Sequence, residues 1–154
     1  MENDFAKEGA PNTPTFIVPA LERERGEVER VAEEVFGKKD TEQFVMRFFE
    51  IARSAPLVDL SEDMWSRLEN TDSYGISPRD WSYVNECAVM GHPDHPRDWR
   101  GYKTRYEKGN FIEAPTVMKT KNMLHLVSGN TRLMVARALG ITPKVLLVEL
   151  EEAT

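Results

Sequence analysis

The sequence has one cysteine, Cys87, among 154 residues. A single cysteine excludes an intrachain disulfide and a cysteine-rich zinc site, and points to a reducing compartment. No apolar run approaches the ~20 residues that a membrane helix needs. The amino-terminal stretch MENDFAKEGAPN is polar and acidic, without the basic start and apolar core of a secretory signal. A cytoplasmic protein with no membrane partner is the expectation. No internal repeat is visible. Histidine is scarce, at three residues. Two of them, His92 and His95 around Asp94, lie in a stretch broken by Pro93 and Pro96. That spacing is not a helical ligand pair and no third ligand is evident, so no metal site is assigned. What the chain does have is enough to fold: 40% hydrophobic and 30% charged residues, the balance of a globular domain rather than a disordered segment.

Charge is unevenly spread. Arg97 to Lys144 carries ten lysines and arginines against three acids, a net of +7. The chain's total of −6 therefore leaves −13 for the remainder. Such a division fits a basic functional face beside an acidic helical layer, or two halves that neutralise each other in the fold.

Residues 1–15 hold Gly9, Pro11, Asn12 and Pro14 with little to bury, and read as a flexible tail. Residues 16–154 read as one domain, with a helical layer over 20–108 and a core over 113–150. Phe16-Ile17-Val18 is an edge-strand candidate. A helix spans Ala20 to Phe36, with Leu21, Val28, Val31 and Val35 on one face and its Glu and Arg residues in solvent. Asp40 with Gln43 resembles a capping box ahead of Val45, Phe48, Phe49 and Ala52. Leu57 to Leu60 is a short strand, and Ser61 caps a helix bearing Met64, Trp65 and Leu68. Ser77-Pro78 signals the start of the helix that carries Trp81, Val84 and Ala88. Arg97 to Lys108 forms a helix of alternating cations and aromatics, closed by Gly109. Its Arg100, Lys103 and Arg105 can contact nucleic-acid phosphates while the rings stack on bases; equally, the rings can pack the helix onto the core.

The last third changes period. Pro115 to Met118 and Met123 to Val127 are strands around a turn at Lys119–Asn122. A helix follows, with Leu133, Ala136 and Leu139 inward and Gly140 past its end. Lys144 to Leu150 contains Val145-Leu146-Leu147-Val148, an apolar run suited to a strand covered on both faces. Strand, helix and strand here suggest a parallel crossover. The fold class is α+β, a small mixed sheet of three to five strands with a helical amino-terminal layer. His125 alternates with Leu124 and Leu126, towards the polar side of the sheet.

Ser128-Gly129-Asn130-Thr131-Arg132 joins strand to helix. Gly129 lets backbone and ligand approach closely. The amides of Asn130, Thr131 and Arg132 open a helix and carry partial positive charge. Arg132 adds a planar fork suited to phosphate oxygens. Together these residues make a phosphate site. The alternative is that Ser128 or Asn130 caps the helix and Arg132 pairs with an acid. Phosphoryl chemistry would also need a carboxylate to hold a metal or take a proton. Glu113 is the first candidate, with Asp59 and Asp72 behind it.

The run Leu126-Val127-Ser128-Gly129-Asn130-Thr131-Arg132-Leu133, with Ala136, Leu139-Gly140 and Pro143-Lys144-Val145, resembles the ParB/sulfiredoxin superfamily. Glu113-Ala114-Pro115-Thr116-Val117 is similar to the segment before that family's central hairpin, and the match covers Glu113 to Leu150. The resemblance implies a stand-alone domain of phage or mobile-element type. It would bind phosphate of a nucleotide or of DNA, with ATP or CTP and Mg2+ as cofactors. Its activity would be hydrolysis or transfer of phosphate, or ParB-like nuclease action; a non-catalytic DNA- or protein-binding module is the other outcome. Asn130 stands where sulfiredoxins place their catalytic cysteine. Thr131 stands where chromosome-partitioning members carry a second arginine, and the helix-turn-helix domain that follows in those members has no counterpart before Thr154.

Overall fold

The computed structural model describes residues 14–37, 41–90 and 97–150. The expected tail over its first thirteen residues, the Asp40 capping position and the His92–His95 loop lie outside them. Among the described residues there are six strands and six α-helices, so the architecture is α+β. The strands are β1 (Thr15–Ile17), β2 (Leu57–Asp59), β3 (Phe111–Glu113), β4 (Thr116–Lys119), β5 (Leu124–Ser128) and β6 (Lys144–Glu149). The helices are α1 (Arg25–Glu34), α2 (Glu42–Ala52), α3 (Glu62–Arg67), α4 (Trp81–Met90), α5 (Trp99–Glu107) and α6 (Asn130–Leu139). Short 3-10 turns at Leu21–Glu24 and Ser73–Gly75 precede α1 and α4.

The main sheet has the order β2-β6-β4-β5. Its central strands β4 and β6 are parallel, and the outer strands β2 and β5 run antiparallel to them. Pleating sends alternate side chains to opposite faces. Val117, Leu126 and Val145 join one core with Trp65, Val84, Tyr106 and Leu133 from α3 to α6. Met118, Val127, Leu146 and Val148 join the other with Val28, Val31, Val45 and Phe48 from α1 and α2. The sheet is thus covered on both faces, as the apolar run in β6 requires; Val145, Leu146 and Val148 are fully buried. A second, two-stranded sheet pairs β1 with β3 in parallel. The expected edge strand at Phe16 is real, but its partner β3 carries no alternating pattern of its own.

Three local expectations need correction. β5, α6 and β6 do not form a parallel crossover. The turn at Lys119–Asn122 reverses the chain, and β6 then pairs with β4, so β5 and β6 run in opposite senses with β4 between them. The central slot gives the most apolar strand of the chain a cover on each face and a partner on each edge. Helix α4 begins at Trp81, not at Pro78. Ser77 to Asp80 form a turn with Arg79 at φ 59°, and the Asp80 carboxylate accepts from Tyr83 N at 3.2 Å. The inward face of α6 is wider than three residues, since Thr131, Met134, Val135 and Ala138 are buried too. It is flanked by α4, α5 and the Ser73–Gly75 turn.

Other signals act as their chemistry dictates. The Ser61 hydroxyl accepts from Met64 N at 3.2 Å to cap α3. Asp98 caps α5 by accepting from Gly101 N at 2.9 Å. No helix among the described residues is long and apolar enough to cross a membrane.

Candidate functional site

The Ser128–Arg132 segment does join β5 to α6. Gly129 sits at φ 107°, a left-handed conformation that disfavours any side chain. It is also pressed against the neighbouring chain: a Cβ built there would lie 2.6 Å from Pro115 Cβ and 2.8 Å from Pro115 Cα. The first bond of α6 runs from Leu133 N to Gly129 O at 3.0 Å. The amides of Asn130, Thr131 and Arg132 therefore have no acceptor inside the helix, and no side chain among the described residues caps this end.

The two side chains that could cap it are turned elsewhere. Asn130 Oδ1 accepts from the Thr71 hydroxyl, which also shares a 2.8 Å hydrogen bond with Ser73 Oγ; Trp65 Nε1 donates to that same Ser73 oxygen at 2.8 Å. Ser128 Oγ donates to Glu24 Oε1, and Thr116 Oγ1 donates to the same oxygen at 3.0 Å. Glu24 is only 7% exposed. A buried carboxylate held by two hydroxyls directly beneath the turn departs from the solvated face that a Glu- and Arg-rich helix implies.

Among the described residues, Arg132 pairs with no acid. Its Nη1 donates to Glu113 O at 2.7 Å and to Ala114 O at 3.5 Å, and its own carbonyl accepts from Tyr106 Oη at 3.0 Å. It thus fixes the segment that brings Pro115 against Gly129. The Glu113 carboxylate points away from the turn, 3.5 Å from Ala20 N and 3.7 Å from Arg23 Nη1. Asp59 pairs with Lys144 at 2.8 Å, and Asp72 lies 3.5 Å from Tyr83 Oη and 3.8 Å from Cys87 Sγ. Burial, with Asp72 nearby, pushes the Cys87 thiol above its ordinary value, which makes it a poor nucleophile.

The positive groups at the turn come from elsewhere in the chain. A cavity of about 190 Å³ opens over Ser128, Gly129 and Asn130, and its walls include Arg30, Arg97, Glu27 and Asn70. Arg30 Nη2 donates to Glu27 Oε1. Asn70, at φ 71°, donates from Nδ2 to Leu126 O at 2.8 Å and so holds its loop to β5. Neither Arg30 nor Arg97 is near the turn in sequence, so no local motif could have named them. Among the described residues, no group of three or more His, Cys, Asp or Glu is arranged to hold a metal ion.

The basic helix divides its residues. Trp99 and Tyr106 are buried. The Trp81 and Trp99 rings stack at 5.4 Å and 8°. Arg100 lies 4.4 Å from the Trp99 ring, and Lys103 lies 5.2 Å from the Trp81 ring while bonding Glu107 at 2.9 Å. Arg105 donates to Phe111 O at 2.5 Å. All three cations are thus engaged locally, and the aromatics serve the core.

Compared with known proteins, the chain matches no family model, no curated protein and no solved structure.

Proposed function

We propose that the cavity over Ser128–Asn130 binds a phosphate group of a nucleotide or of nucleic acid, in a domain of ParB/sulfiredoxin-like type. The observation that carries this reading is the uncapped start of α6, with three amides lacking helical acceptors, opening into a cavity whose walls hold Arg30 and Arg97. Helix starts attract anions through these amides and the helix dipole, and arginines add charge-assisted bonds. Arg132 then acts as a brace for Pro115 and Gly129. Arg30 must exchange Glu27 for the phosphate. An exposed pair contributes only ~0.2–1 kcal/mol, so the exchange is cheap.

Size narrows the ligand. Pockets that enclose whole small molecules usually hold about 300–1,000 Å³. At about 190 Å³ this cavity suits one or two phosphate groups, with the nucleoside or the rest of a strand outside. Hydrolysis or transfer of phosphate from ATP or CTP, or nuclease action, is the catalytic extension of this reading. Magnesium usually takes one or two carboxylates together with substrate phosphates and waters. Glu27 is the wall carboxylate that would complete such a shell, and Glu24, through Ser128, sets the floor. The second reading is a non-catalytic module for DNA. The net charge of +7 over Arg97–Lys144 favours it.

Thermal melts with inorganic phosphate, ATP, CTP and a short DNA duplex, each with and without magnesium, test both. A ligand at 100 times its dissociation constant adds about 2.7 kcal/mol. The shift should shrink in Arg30→Ala and in Arg97→Ala. No shift with any phosphate ligand sinks the proposal. A shift with DNA alone, lost in Arg100→Glu with Lys103→Glu but kept in Arg30→Ala, moves the site to the basic helix.

A further inference from the structure

A larger cavity lies at the opposite end of the main sheet. β4 starts beside the phosphate turn, where Thr116 pairs with Ser128, and ends at the hairpin, where Lys119 pairs with Leu124. There the hairpin turn and α3 enclose about 400 Å³. Thr120 lines this cavity and is only 4% exposed; its hydroxyl, shut off from the open space, has no hydrogen-bond partner. Such orphans are rare in native structures, because a hydroxyl withdrawn from water without a partner is costly.

The charge around Thr120 is one-sided. Arg67, Lys119 and Lys121 line the same cavity, against a single acid, Glu69. Their existing partners are weak. Arg67 reaches exposed Asp63 at 3.2 Å and Lys119 reaches exposed Glu149 at 3.9 Å, while Lys121 makes no ion pair among the described residues. Met64 and Leu124 supply an apolar wall. Three cations beside an apolar wall are complementary to one kind of molecule. We propose that this cavity binds a small organic anion, its acidic head among the three cations and its apolar body against Met64 and Leu124. Water occupies ~30 Å³ per molecule in the liquid, so the cavity takes roughly a dozen non-hydrogen atoms. This site stands independently of the phosphate turn.

Titrations of the full chain with benzoate, phenyl phosphate, inorganic phosphate and neutral benzamide, followed by amide NMR shifts, test it. Benzoate or phenyl phosphate should produce saturable shifts centred on Thr120–Leu124; whichever binds tighter tells a carboxylate head from a phosphate monoester. Benzamide and inorganic phosphate should bind there far more weakly. Lys121→Glu should weaken the anion by about tenfold. Arg67→Glu should weaken it too. Equal binding of benzamide overturns the proposal. So do shifts confined to Ser128–Arg132, affinity unchanged in Lys121→Glu, or no saturable shift at all.

Discussion

Glu24 offers the sharpest test of how the turn is held. Its Oε1 accepts from both Thr116 and Ser128, and the side chain is almost wholly buried. Hydrogen bonds to a charged group each stabilise by about 1.5–3 kcal/mol, so two give ~3–6 kcal/mol before desolvation. Burying a carboxylate costs several kcal/mol, which leaves a modest net figure. Glu24→Gln keeps the shape and one carbonyl acceptor but exchanges charged bonds for neutral ones; the expected loss is ~1–2 kcal/mol. Glu24→Ala strands two hydroxyls and opens a hole, for an expected loss of ~3–4 kcal/mol. Urea melts followed by tryptophan fluorescence read this directly. With m of about 1–3 kcal/mol/M, the Gln variant should lower the midpoint by roughly 1 M at unchanged m. Ser128→Ala should then cost less in the Gln background than in the parent, because the charged acceptor is already gone. If Glu24→Gln instead raises the midpoint at unchanged m, the carboxylate is a net burden on the fold and the reasoning fails.

Gly129→Ala should destabilise by ~2–4 kcal/mol, from left-handed strain and the clash with Pro115. Gly140→Ala, at φ 76° with open space around it, should cost only ~1 kcal/mol. Equal effects in urea melts would show that the Pro115 contact is irrelevant. His125 titrates below its ordinary 6.5 because burial disfavours the charged ring. The folded state thus binds its proton less readily than the unfolded chain, so stability should be intact above about pH 6.5 and fall as pH drops below it. A melting-temperature series across that range, flattened in His125→Gln, checks the sign.

Much of the frame was legible because its signals are local. Ser61 and Gly140 mark helix ends by their own chemistry, and the apolar run in β6 announced a strand buried on both faces. The strand-to-helix turn was legible for the same reason. The site's surroundings were not. Glu24 lies 104 residues from Ser128 and 92 from Thr116, and only the packing of α1 on the sheet brings them together. A charged residue in a Glu- and Arg-rich helix gives no sign that it will be the one turned inward. Arg132 looked like a ligand because it is charged and adjacent to the turn, yet backbone carbonyls of the β3–β4 link engage it first. Glu113 is near Arg132 in space through its carbonyl, while its carboxylate serves the start of the Leu21–Glu24 turn.

The cavity over Gly129 draws its walls from both sides of the sheet: Arg30 from α1, Asn70 from the loop after α3, Arg97 from the approach to α5. Neither helical layer can peel away without dismantling it. A ligand seated there would act as a staple between two units that could otherwise open separately. Hydrogen exchange should then slow in α1 and in α5 together on binding, and either layer's loosening should weaken the ligand. Affinity at this turn is in that sense a gauge of how cooperatively the whole domain holds shut.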